Sequence, residues 1–296
     1  MRGRAAGPVE WDARLSIPGS PVCAPDWLAL REPADAAARS AELVEILRPH
    51  LAGPARAGRP LVVRDLGCGS GSMGRWLAPR LPGPQTWVLH DRDPELLEIA
   101  AAGLPGTAAD GAPVVARTEE GDLAGLRAAD LAGTDLVTAS ALLDLLTVDE
   151  LDALADACVA AGCPALLTLS VTGGARLTPS DPLDAEVAAA FDAHQRRTDA
   201  GRRLLGPDAG AVAVAAFDRR GATVHTRPSP WLLDVTHADL IEEWLRGWIA
   251  AACDERPQLE EHAPGYLRRR LDALGVGELR ATVGHLDVLA LPEVTP

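Results

Sequence analysis

Between residues 61 and 172, short apolar runs alternate with amphipathic stretches. The runs are LVVRDL, QTWVLH, APVVA, TDLVTAS and ALLTLSV, and the helical patterns between them fall at 76–81, 94–102 and 148–161. Apolar runs of this length bounded by Gly and Pro read as strands covered on both faces, and the stretches between them as crossover helices of β-α-β units. Residues 1–60 are rich in Pro, Gly and Ala. They hold one predicted helix at 33–48, where Ala36, Leu43, Ile46 and Leu47 recur at helical spacing before Pro49 and Gly53-Pro54 end it. After Gly173-Gly174 the alternation loosens into helices at 182–203 and 210–219, a strand at 223–226, helices at 238–252 and 266–274, and a closing strand at 279–291. Helix 238–252 carries Leu240, Ile241, Trp244, Leu245, Trp248 and Ile249 on one broad face. The expectation is an N-terminal helical cap segment at 1–60 followed by one α/β domain at 61–296, with helical insertions at about 176–220 and 231–276.

Composition removes several chemistries. All 28 basic residues are arginine, and the chain has neither lysine nor asparagine. A Schiff-base lysine, a pyridoxal-phosphate anchor and a P-loop lysine are therefore impossible. A formal charge of −14 opposes nucleic acid or an anionic membrane as partner. The arginine runs at 196–197, 202–203 and 268–270 lie among acidic residues and read as solvated helix faces. Five scattered cysteines without a C-x-x-C pair, no signal-like N-terminal run and no membrane-length apolar segment lead to the expectation of a cytoplasmic protein, monomeric or homodimeric.

The most informative stretch is VVRDLGCGSGSMG at 62–74. Gly67, Gly69 and Gly71 alternate after the first strand, and their lack of side chains lets a ligand approach the backbone. Gly69, Gly71 and Gly74 also satisfy G-x-G-x-x-G, with Asp91 twenty residues past Gly71, so a dinucleotide oxidoreductase must be weighed. Charge separates the two readings. Asp65 precedes the glycines, where it would repel a diphosphate and favour an ammonium or sulfonium.

The segment Asp65-Leu66-Gly67-Cys68-Gly69-Ser70-Gly71 resembles the first motif of class I S-adenosylmethionine-dependent methyltransferases, D-x-G-x-G-x-G. Further segments match in order: Asp91 closing the second strand, Glu120-Gly121-Asp122 after the third, Asp135 to Ser140 along the fourth, and Gly162-Cys163-Pro164 before the fifth. The resemblance implies a Rossmann-like sheet, mostly parallel with an antiparallel last strand, and S-adenosylmethionine as cofactor. It implies that Asp91 accepts from both ribose hydroxyls, that Asp122 accepts from the adenine amino group, and that the Leu123 backbone lies against the ring. Asp65, Gly67, Cys68, Gly69, Gly71, Arg92 and Ala139 would complete the cofactor contacts, with Cys68 a small filler and no nucleophile.

The acceptor is less legible. The D/N-P-P-Y motif of nucleic-acid amino-methyltransferases is absent, and without asparagine the catechol-type Asp-Asp-Asn magnesium set cannot form, so no metal is expected. A small-molecule acceptor follows, with Asp144 and His194 as the candidate catalytic residues. Each has a bland reading beside it: a surface carboxylate for Asp144, a satisfied core histidine for His194. His225 and His285 read as structural, His50 as a helix-terminal group, and His237 as first-turn filler in a helix capped by Thr236 with Asp239. Trp27, Arg31 and Arg39 are expected on one side of the acceptor and Phe191, His194, Gln195, Trp231 and Trp244 on the other; Arg31 and Arg39 are candidates to hold a carboxylate, the acceptor's or the cofactor's own, with pairing to nearby Glu and Asp and core packing as the competing expectations. Two alternatives stay open: non-methyl-transfer chemistry on the same cofactor, and a non-catalytic cofactor-binding or interaction subunit.

Overall fold

A computed structural model describes residues 24–52, 58–122 and 126–293. Leu123, Cys23 and Gly53-Pro54 lie outside the described residues. The main sheet has seven strands in the order β3-β2-β1-β4-β5-β12-β9. Its members are β1 (Leu61–Leu66), β2 (Gln85–Asp91), β3 (Val114–Glu120), β4 (Leu136–Ser140), β5 (Ala165–Val171), β9 (Thr223–Pro228) and β12 (His285–Leu291). The first five run parallel, and β12 enters antiparallel between β5 and β9. A dinucleotide-binding sheet of order 3-2-1-4-5-6 has no such inserted strand.

Alternation along the strands divides the core. Leu61, Val63, Trp87, Leu89 and Leu166 pack under α2 (Ala41–Leu51), α3 (Ser72–Leu77) and α4 (Pro94–Gly103). On the other face, Val137, Ala139, Leu167 and Val288 pack under α5 (Val148–Ala160) and α7 (Ala209–Asp218). Met73 and Trp76 are buried in the first of these clusters, fixing α3 against the sheet. A third core joins α6 (Asp184–Gln195), α8 (Ala238–Glu255) and α9 (Ala263–Gly275) to a small sheet of β6 (Arg176–Thr178), β10 (Trp231–Leu233) and β11 (Arg280–Val283). Trp244 and Trp248 stack there at 5.1 Å, so Trp244 belongs to packing.

Four expectations are corrected. The helix expected at 33–48 is two helices, α1 (Pro25–Ala38) and α2, broken at Arg39-Ser40. Ser40 caps α2 by accepting from Leu43 N, while its own N–H donates to Asp287 Oδ2 at 2.8 Å. The helix expected at 182–203 stops at Gln195, and the chain turns back as a hairpin of β7 (Thr198–Asp199) and β8 (Arg202–Arg203). Its two turn residues, Ala200 (φ 47) and Gly201 (φ 83), are both left-handed, which matches the twist of a two-residue hairpin. The closing strand splits at Gly284 into β11 and β12, which serve different sheets, and a Cβ at Gly284 would collide with the Thr172 hydroxyl. Asp234, not Thr236, caps the turn ahead of α8, with His237 completing the box.

Asp287 ties the centre together. It is fully buried in β12, where the register slips between Leu286 and Val288, and it accepts from Leu169 N (2.8 Å), Ser229 Oγ (2.6 Å) and Ser40 N (2.8 Å). One carboxylate thus joins β5, the loop after β9 and the break between α1 and α2.

Candidate functional site

At the carboxyl end of β1 the chain reverses through Gly67 (φ 59), Gly69 (φ 53) and Gly71 (φ 88). At two of these, contact as well as φ requires glycine. A Cβ on Gly67 would lie 2.8 Å from Leu142 Cδ1, and one on Gly71 2.9 Å from the Ala100 backbone on α4. Asp91, ending β2, holds the turn from the side: Oδ2 accepts from Gly69 N at 2.8 Å and Oδ1 from Asp93 N at 3.1 Å. Each oxygen keeps acceptor capacity for a hydroxyl. Arg92 beside it is exposed, and Ala139 is buried on β4 opposite Leu66. Burial raises the Cys68 thiol far above its ordinary range, which suits filler and not a nucleophile.

Asp65 lies under this turn and is buried. Oδ1 accepts from Thr138 Oγ1 at 2.6 Å, across the β1–β4 register, and Oδ2 has no protein partner. Burial pushes its carboxyl up to about 7, against the Thr138 hydrogen bond and the field of Arg39.

Beside the turn opens a cavity of about 200 Å³, lined by Leu66, Asp122, Leu126, Leu142, Glu150 and Arg202 among others. Its walls are apolar leucines and its rim is charged. Arg202 on the β7–β8 hairpin donates to Glu150 (3.0 and 2.7 Å) and to Leu145 O (3.1 Å), clasping the hairpin over the cavity mouth. Arg202 and Glu150 carry no sequence signal, because they are 52 residues apart and only the β7–β8 hairpin brings them together.

Past β4 the chain passes through Ala141, a non-glycine residue at φ 51, into a short 3-10 turn containing Asp144. Such backbone is uncommon outside glycine and gathers at functional sites. Asp144 is half-buried as a residue, with its carboxyl group enclosed. Burial pushes that group up to about 6, opposed by its own backbone N–H and by Arg31 and Arg197. His194, in the last turn of α6, is buried. Its pKa is lowered by burial and by Arg197, with Asp254 and Glu255 opposing. Arg197 is thus a charged neighbour of both candidates. Its Nε and the Oε1 of Gln195 are buried without a partner.

Arg31 pairs with Asp35 (2.9 and 3.2 Å), which also accepts from Trp231 Nε1 at 2.9 Å, and its guanidinium lies 5.0 Å from the Trp231 ring and 6.0 Å from that of Trp27. His285 tilts against Trp231 at 5.3 Å, and burial pulls its pKa down to about 4. Phe191 is half-buried beside the third core. Arg39 departs from the pairing expected of it, donating to the hydroxyls of Ser72 and Ser140 instead of a carboxylate. Among the described residues, no group of three or more His, Cys, Asp or Glu could hold a metal ion, and no helix is long and apolar enough to cross a membrane.

The strand order, the antiparallel β12 and the glycine turn after β1 define the class I methyltransferase fold. No protein-family model matches this sequence, and no curated protein matches it. Among solved structures it is similar to a mycolic acid cyclopropane synthase complexed with S-adenosylhomocysteine (14% identity, 83% of this chain and 82% of that one, TM-score 0.45). It is also similar to a cyclopropane synthase from Mycobacterium tuberculosis (14% identity, 90% and 94%, TM-score 0.45). A third is an S-adenosylmethionine-dependent methyltransferase from Geobacter sulfurreducens in complex with S-adenosylhomocysteine (18% identity, 91% and 98%, TM-score 0.41).

Proposed function

We propose that this protein is an S-adenosylmethionine-dependent methyltransferase acting on a small-molecule acceptor. The observation that carries the reading is the pair of carboxylates around the glycine turn: Asp65 buried beneath it with one oxygen unpartnered, and Asp91 hydrogen-bonded to Gly69 N. A diphosphate would meet a carboxylate there, whereas an ammonium and a ribose would meet acceptors. Asp65 faces the cofactor's ammonium, Asp91 the ribose hydroxyls, and Asp122 the adenine edge in the leucine-walled cavity. Gly67, Cys68, Gly69, Gly71 and Ala139 form its floor, with Arg92 at its margin. Bound there, the sulfonium supplies a methyl group open to in-line displacement.

On the acceptor side Asp144 takes the proton of a hydroxyl or amine as it becomes the nucleophile, a task suited to a carboxyl pushed up to about 6. Arg197 sets a positive charge near Asp144 and donates to the main-chain carbonyl of His194 at 3.2 Å, and the His194 imidazole is the second candidate for handling that proton. The described helices of the N-terminal segment, α1 and α2, serve as a cap, and the insertions at about 176–220 and 231–276 shape the acceptor pocket. The charge of −14 favours a small acceptor over nucleic acid. Calorimetric titration with S-adenosylhomocysteine tests the cofactor: micromolar binding that Asp91→Ala weakens at least tenfold is expected, and no binding sinks the reading. Acceptor screening by mass spectrometry tests the reaction, with a gain of one CH2 expected in the product.

A further inference from the structure

Arg39 stands at the break between α1 and α2, with 4% of its surface exposed. Its Nη2 donates to Ser72 Oγ at 2.7 Å and to Ser140 Oγ at 2.9 Å. Ser72 opens α3 just after Gly71, and Ser140 ends β4 two residues past Thr138, the partner of Asp65. The guanidinium is therefore held over the glycine turn by the two segments that flank it. Leu28 on α1 lies over the same turn, its Cδ1 3.4 Å from where a Cβ of Gly69 would sit.

Three of the five N–H bonds of this guanidinium, on Nε and Nη1, have no protein partner. The side chain makes no ion pair with any described residue, although Asp35, Asp65 and Asp287 are near enough to raise its pKa against burial. A buried cation that only bridged two hydroxyls and lay 5.8 Å from the Trp76 ring would be an expensive strut, since a neutral amide could donate to both hydroxyls. Close by, Asp65 Oδ2 is a buried acceptor without a donor. A cation with free donors and an anion with a free acceptor, set around one backbone turn, match the two charges of an α-amino acid.

We propose that Arg39 is the carboxylate-binding residue for the amino-acid end of the cofactor, paired with Asp65 for its ammonium. The inference rests on the cofactor reading above and adds to it a residue outside every motif. Two neutral hydroxyls and the Trp76 ring, its centroid 5.8 Å from the guanidinium carbon, hold the group in place without an opposite charge, leaving its own charge available to the ligand.

Two ligands separate this role from a structural one: S-adenosylhomocysteine, and methylthioadenosine, which keeps the nucleoside and thioether but lacks the amino acid. In calorimetry, Arg39→Gln should weaken S-adenosylhomocysteine by roughly 10- to 100-fold and methylthioadenosine by less than about twofold, the range for losing charge-assisted hydrogen bonds. Equal loss for both ligands would make Arg39 a strut and overturn the proposal. Unchanged affinity for both would overturn it too, assigning Arg39 to the acceptor. Decarboxylated S-adenosylhomocysteine, which retains the amine, carries the test if the variant fails to fold. Wild-type protein should bind it weaker by the same factor, and equal binding would refute the role. Wild-type protein that binds neither adenosyl ligand overturns the cofactor reading itself, and this inference with it.

Discussion

On the proposed function, Asp65 links cofactor affinity to pH. Its carboxyl is pushed up to about 7 by burial and by Asp91, and a neutral carboxyl cannot hold the cofactor's ammonium as an ion pair. With a pKa near 7, about nine-tenths of the protein is ionised at Asp65 at pH 8 and about one-tenth at pH 6. Apparent affinity scales with the competent fraction, so binding of S-adenosylhomocysteine should weaken about tenfold from pH 8 to pH 6. Below pH 7 the complex should also release a proton, because the bound ammonium draws Asp65 into its charged form. Calorimetry at pH 6, 7 and 8, in two buffers of different ionisation enthalpy, reads both quantities. Asp65→Asn should flatten the pH dependence, and Asp144→Asn should leave it in place. Wild-type affinity constant within about twofold over this range would refute the reasoning. Stability follows the opposite direction. A folded-state pKa above the unfolded value gives a contribution present in full below about pH 4 and lost as pH rises through about 6 for Asp144 and about 7 for Asp65, so the ligand-free protein should lose stability across that window.

Asp287→Ala strands two backbone N–H groups and one hydroxyl in the interior; at about 1–3 kcal/mol each, less the relief of no longer burying a carboxylate, a net loss of about 3 kcal/mol is expected. A fall in Tm of roughly 5–10 °C by circular dichroism is the corresponding reading, and a change under about 2 °C would refute the hub role. Asp144→Asn should lower kcat by roughly 10²- to 10⁴-fold with S-adenosylhomocysteine affinity unchanged, and should remove the rate limb near pH 6. A pH profile of the variant that keeps this limb would exclude Asp144 as the base.

The glycine turn and the carboxylates beside it are legible in the chain because their signals are local. A strand end, alternating glycines and a carboxylate at the end of the next strand lie within 27 residues, Asp65 to Asp91, and each residue type states its own requirement. The other half depends on contacts between distant residues. Helical spacing runs through Arg39-Ser40, and what breaks it is a hydrogen bond from Ser40 N to Asp287, 247 residues away. Residues 182–203 carry no Asn-Gly turn signal, so the reversal at Ala200-Gly201 stayed hidden, and with it the clasp of Arg202 on Glu150. The raised pKa of Asp144 comes from burial, a property no window of sequence contains. The lack of lysine has its fullest consequence at Arg39. In this chain every permanently charged side-chain cation is a planar fork, and a fork can spend one nitrogen on Ser72 and Ser140 while keeping three N–H bonds for a ligand. A lysine ammonium bound to the same two hydroxyls would keep one.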